Sequence, residues 1–165
     1  MNKIKTSLTL LFMTCITVFG QEKRVSKKNI SLTVQNYIQT NYPKAKQLKY
    51  YEEQVNGNTF IECEFNYNKV EYSLKFLAES LVETEISIEF NDIQTTELKK
   101  IKASLDSLFS KYKVLDCQEV NPKTNPFYEI NVKTKLGNYY ELFYDKSGIL
   151  VSKTEVFIKP IPSQF

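Results

Sequence analysis

Histidine is absent from all 165 residues. With it go the usual general base near neutral pH, the Ser-His-Asp and Cys-His nucleophile systems, and the commonest zinc ligand. Glycine occurs only four times, and no glycine-rich phosphate loop is present. Arginine is almost missing as well: Arg24 is the single residue able to present a guanidinium fork to a phosphate or carboxylate. Charge of one sign is also lacking, with 22 basic against 19 acidic residues. Lys3 and Lys5 lie in a segment expected to be removed, and without them the balance is 20 to 19. Such a body has no field to draw in a phosphate backbone, which argues against nucleic acid as a partner. No cofactor, no metal set and no catalytic residue is implied, and the chain is expected not to be an enzyme.

Long apolar runs are confined to the N-terminus, where Ser7 to Phe19 is too short to span a bilayer as a stable helix. A basic head, Met1 to Lys5, precedes it, and Val18 and Gly20 are small residues at minus three and minus one of a cut before Gln21. Residues 1–20 are therefore expected to be a cleaved secretory signal, leaving no stable membrane insertion and a periplasmic or secreted product. An uncleaved anchor is the alternative. A lipoprotein reading through Cys15 meets Thr14 where glycine or alanine is usual.

Cys63 and Cys117 remain after cleavage. In an oxidising compartment they could form a disulfide. Equally, both sit at core-facing strand positions and could be buried thiols serving as small apolar residues.

What is present in quantity is apolar and aromatic surface, 42% and 13% of the chain, enough for one good core or two small ones in a single body. Residues 21–29 are polar, lysine-rich and without periodicity, a flexible lead-in. Ile30, Val34, Tyr37 and Ile38 then share one helical face, with Ser31 or Thr33 as cap and Pro43 as stop. Three runs with period two follow, Phe60 to Tyr67, Val70 to Phe76 and Val82 to Phe90, after a weaker strand from Leu48 that ends at the hairpin dipeptide Asn56, Gly57. The order restarts at Asp92 or Thr95, which can cap a helix carrying Leu98, Ile101, Leu105, Leu108, Phe109 and Tyr112 on one stripe. Strands follow at Val114 to Val120 and from Phe127, separated by Asn121 to Pro126. The run from Asn138 to Ile158 is a hairpin in which Asp145 can accept from later backbone amides and Gly148 suits a positive φ. Residues 159–165 form a tail.

Side by side, residues 30–90 and 91–158 share one order. The expected fold class is α+β: two tandem helix-plus-four-stranded antiparallel units forming one extended sheet, both helices on one face. The opposite face is expected to be an ordinary solvated surface in the first unit, with Glu62, Glu64, Glu71, Ser73, Lys75, Glu83 and Glu85. In the second, alternation turns Phe127, Tyr139, Phe143 and Phe157 outward around Glu129 and Glu141, a candidate contact surface. A register slip of one residue, or cover by the tail, would hide those rings instead.

The segment Asn41, Tyr42, Pro43, Lys44, Ala45, the pair Asn56 and Gly57, and the run Tyr140 to Asp145 with Gly148 make the chain resemble the PepSY-like, beta-lactamase-inhibitor-like family of exported bacterial proteins. The resemblance implies a tandem repeat whose open sheet face grips a partner protein in some relatives. It implies no inhibition of a beta-lactamase here. The functional expectation is a non-enzymatic module that recognises a protein or peptide through the open face, with inhibition of that partner as one form of the role. The alternative is an envelope sensor that takes a small ligand or cation at the acidic face of the first unit.

Overall fold

A computed structural model describes residues 23–120 and 127–156. Nine strands form one antiparallel sheet in sequence order: β1 (Lys23–Val25), β2 (Lys46–Val55), β3 (Asn58–Tyr67), β4 (Val70–Leu77), β5 (Ser80–Ser87), β6 (Tyr112–Val120), β7 (Phe127–Thr134), β8 (Tyr139–Asp145) and β9 (Leu150–Val156). Two helices interrupt the meander, α1 (Leu32–Asn41) between β1 and β2, and α2 (Thr95–Leu108) between β5 and β6.

The expectation of two helix-plus-four-stranded units is overturned by this topology. Among the described residues the fold is one continuous, mostly β structure of nine strands with two α-helices. Glu85 pairs with Val120, Ile86 with Glu119 and Ser87 with Gln118, so β5 and β6 belong to the same ladder. A ninth strand, β1, lies outside any such unit and pairs with β2 through Lys23 to Glu52, Arg24 to Tyr51 and Val25 to Tyr50. It forms inside the segment that has no sequence pattern, because an exposed three-residue edge strand needs no apolar alternation.

Local chemistry explains the turns. Asn56 and Gly57 both take positive φ, 50° and 79°, as a two-residue hairpin requires. Ala78 and Glu79 do the same at 45° and 66° between β4 and β5, without a residue suited to it. At the β8 to β9 turn, Asp145 Oδ1 accepts from Ser147 N at 2.9 Å, Ser147 Oγ at 2.7 Å and Ile149 N at 2.9 Å, and Gly148 sits at φ +77°. The Ser31 hydroxyl accepts from Val34 N at 3.3 Å and starts α1, and Tyr42 ends it ahead of Pro43. Gln94, rather than Asp92 or Thr95, stands before α2, and its side chain makes no capping bond.

The register carries one face across the whole sheet: Tyr72 pairs with Ile86, Ile86 with Glu119, Glu119 with Tyr128 and Tyr128 with Tyr144. Both helices pack on that face. Val34 and Ile38 of α1 close over Tyr50, Cys63, Phe65, Leu74 and Phe76. Ile101 and Leu105 of α2 close over Cys117, Ile130, Leu142 and Tyr144. Each fully buried aliphatic side chain contributes about 1.5 to 3 kcal/mol, which holds helices too short to stand alone. Tyr144 satisfies its hydroxyl against Ser104 Oγ at 3.2 Å.

Cys63 and Cys117 are both buried and both free, which is the second of the two readings the sequence left open. Each belongs to a different core cluster and serves there as a small apolar residue. The signal segment, the loop 121–126, Phe157 and the tail 159–165 lie outside the described residues.

Candidate functional site

The face that carries no helix is built by the alternate residues of every strand. On β3, β4 and β5 these are Glu62, Glu64, Ser73, Lys75, Glu83 and Glu85, placed by the pairs Glu62 to Lys75, Glu64 to Ser73, Ser73 to Glu85 and Lys75 to Glu83. On β7 and β8 they are Phe127, Glu129, Tyr139, Glu141 and Phe143, placed by Glu129 to Phe143 and Lys133 to Tyr139. Five of the six sequence-predicted contact residues thus share one face, and the sixth, Phe157, is outside the described residues.

The rings meet one another. Phe127 and Phe143 stand edge to face with centroids 5.4 Å apart. The Lys133 ammonium lies 5.2 Å from the centre of the Tyr139 ring. Phe127, Tyr139 and Phe143 are all half-buried. Val120, paired with Phe127, is 1% exposed although no helix covers it, so the open face buries apolar surface of its own.

The carboxylates are not the solvated fringe that alternation alone suggests. Glu62, Glu85, Glu129 and Glu141 are half-buried. Burial, then the charges of Glu62 and Glu83, push the Glu85 carboxyl up to about 8. Burial, then Glu141 and Glu85, hold Glu129 well above the usual carboxylate range. The hydrogen bond between the two carboxyls raises Glu129 and lowers Glu141, while Glu129 Oε1 accepts from Asn131 Nδ2 at 3.3 Å. Burial also raises Glu62, against the pull of the Ser73 hydroxyl, which donates to Glu62 Oε1 at 2.6 Å.

Lys75 is the cation among them, 3.3 Å from Glu53 and 3.7 Å from Glu83. Burial works against its charge, but the surrounding glutamates, Glu62 foremost, raise its affinity for the proton. Lys75 also acts on Glu141, whose carboxyl burial raises and Glu129 and Lys75 pull down. Lys75 is on β4 and Glu141 on β8. The long side chains of the open face thus bring the charge of β4 to bear on the carboxyl of β8. No signal in a linear sequence carries that approach. The like-charged pairs Glu62 with Glu64 and Glu83 with Glu85 were visible, but not their approach to Glu129 and Glu141.

A polar hollow of about 140 Å³ lies in the middle of this face, bounded by Glu62, Glu71, Ser73, Glu85, Ser87 and Gln118 among others. Among the described residues no group of three or more His, Cys, Asp or Glu side chains is arranged to hold a metal ion. No described helix is long and apolar enough to cross a membrane.

No protein-family model matches the chain, and no curated protein matches it by sequence. Among solved structures it is similar to a DUF2874 family protein from Bacteroides ovatus, at 21% identity over 74% of this chain and 85% of that one, with a TM-score of 0.61. A BLIP-like protein from Bacteroides fragilis matches at 18% identity over 81% and 94%, with a TM-score of 0.58. A candidate periplasmic protein from Bacteroides eggerthii matches at 16% identity over 76% and 88%, with a TM-score of 0.64. These likenesses are of fold. They agree with the beta-lactamase-inhibitor-like part of the sequence resemblance, and none of the three is described as PepSY-like.

Proposed function

We propose that the chain is a non-enzymatic binding module, exported to the periplasm or beyond, that recognises a protein or peptide through its open sheet face. One observation carries the reading: Phe127, Phe143 and Tyr139 lie half-buried on the helix-free face, beside Glu129 and Glu141. Aromatic rings offer much contact area for little lost side-chain freedom, and flanking charges fix orientation more than they add affinity. The N-terminal signal pattern and the likeness to a BLIP-like protein and to a candidate periplasmic protein support it. The missing histidine supports the non-enzymatic part.

The test is capture from the envelope extract of the source cells with the wild-type protein and with a Tyr139→Ser, Phe143→Ser double variant. A Leu136→Ser variant, at a turn residue 89% exposed, is the control. The double variant should keep the wild-type circular dichroism and lose the captured species, while the control retains it. Equal capture by all three proteins would reject the open face as the contact surface.

A further inference from the structure

We infer that the hollow at the centre of the open face receives a cationic side chain of the partner, the guanidinium of an arginine or the ammonium of a lysine, with Phe127 and Phe143 covering the segment that carries it. This rests on the reading that the open face meets a protein or peptide.

The charged groups of the hollow's wall are all acidic: Glu62 and Glu64 from β3, Glu71 from β4, Glu85 from β5 and Asp116 from β6. Two lysines bear on this wall without filling it: Lys49 pairs with Glu64 at 3.2 Å, and Lys75, held by Glu53 and Glu83, also acts on Glu62 and Glu85. Two oxygens of the wall, Gln118 Oε1 and Glu71 Oε2, are buried and accept no hydrogen bond from any described residue. Orphaned buried acceptors are rare in folded proteins because leaving them unmade is costly. Five acidic groups therefore share two lysines, and two buried acceptors at the same place lack a donor.

That combination selects a ligand. A carboxylate or phosphate would meet five acidic groups. An amide would bring an acceptor for which the wall has little use. A guanidinium brings five N–H donors, no acceptor and a fixed charge, and an ammonium brings three donors. The neighbouring Phe127 and Phe143 rings can take the apolar stem or the flanking residues of the same segment, and aromatic faces attract cations further.

The experiment uses three acetylated, amidated pentapeptides, Ser-Phe-Arg-Phe-Ser and its forms with glutamine or glutamate in place of arginine, titrated into isotopically labelled protein and followed by NMR. The arginine peptide should move the amides of Ser87, Gln118 and Glu129 and bind about tenfold tighter than the glutamine peptide, with the glutamate peptide weakest. Glu64→Gln together with Gln118→Leu should abolish that preference while leaving the chemical shifts of the α2 cluster in place. A Glu71→Gln variant serves if the pair does not fold. Equal binding of the arginine and glutamine peptides, shifts elsewhere on the surface, or no binding on this face would each overturn the inference. Loss of extract capture on changing Tyr139 and Phe143, found beside any of those results, would leave the broader reading standing.

Discussion

Gly148, in the turn between β8 and β9, lies directly against the α2 backbone: a Cβ placed on it would come 2.8 Å from the carbonyl oxygen of Glu97. The same turn donates nothing to that carbonyl but is tied to the helix by Lys100, whose ammonium donates to Ser147 O at 2.9 Å. Gly148→Ala meets two penalties at once, the contact and the positive φ of +77°. Its unfolding free energy should fall by about 2 to 4 kcal/mol in urea titrations. Gly57→Ala, at a similar φ of +79° with nothing nearby, should lose only about 1 kcal/mol.

The turn between β4 and β5 offers the opposite opportunity. Ala78 and Glu79 occupy two consecutive left-handed positions, and replacing them with asparagine and glycine removes that strain. Thermal unfolding should shift upward by a few degrees, about 1 kcal/mol of added stability, with no change in the sheet spectrum. An unchanged or lower midpoint would contradict the turn geometry.

These turns show where the sequence was readable. Asn56 with Gly57, and Asp145 with Gly148, declare themselves because their side chains or lack of one answer a specific backbone demand. Ile30, Val34 and Ile38 declare α1 for the same reason, by spacing. Ala78 and Glu79 carry no such mark; only the strands on either side force the bend. β1 is equally silent, since Lys23 and Arg24 are exposed and nothing in a charged triplet reports pairing. β5 stops at Ser87, and Phe90 enters a 3-10 turn although the apolar alternation continues to it, because the chain must leave the sheet to begin α2. The outward set Phe127, Glu129, Tyr139, Glu141 and Phe143 followed from period two alone. The burial of Glu85 and Glu129 did not, because it depends on which strands, far apart in sequence, come to lie side by side.

The buried carboxyls give the stability a defined pH dependence. Glu85 keeps its proton up to about pH 8 in the folded protein, and Glu129 is raised as well, whereas the unfolded chain loses both near the ordinary glutamate value of 4.5. Between those limits the folded state binds more protons, so stability falls as pH rises. Asp145 acts in reverse. Hydrogen bonds, that of the Ser147 hydroxyl first, lower it, so its contribution is whole above its ordinary value of 3.8 and is lost as the pH falls below that. The melting temperature should peak at about pH 4 to 5 and drop by about 5 °C by pH 8. Glu129→Gln should flatten that decline. A midpoint rising steadily from pH 5 to 8 would refute the arrangement.

The thiols should be inert while the fold holds. Burial pushes both Cys63 and Cys117 up to about 12, so almost no thiolate exists at pH 8. Iodoacetamide labelling followed by peptide mass spectrometry should modify neither residue in native buffer and both in denaturant. Modification of either in the native protein would contradict its burial.

Among the described residues a meander in strict sequence order has two margins, β1 and β9, and each is defended. β1 is only three residues and carries Lys23 and Arg24, and β9 sets Lys153 and Glu155 among its apolar residues. Short or charged rims discourage a foreign strand from docking by its main chain, the step that begins fibril growth. A partner of the proposed kind would then be met by side chains on the open face of the sheet and not zipped onto its border.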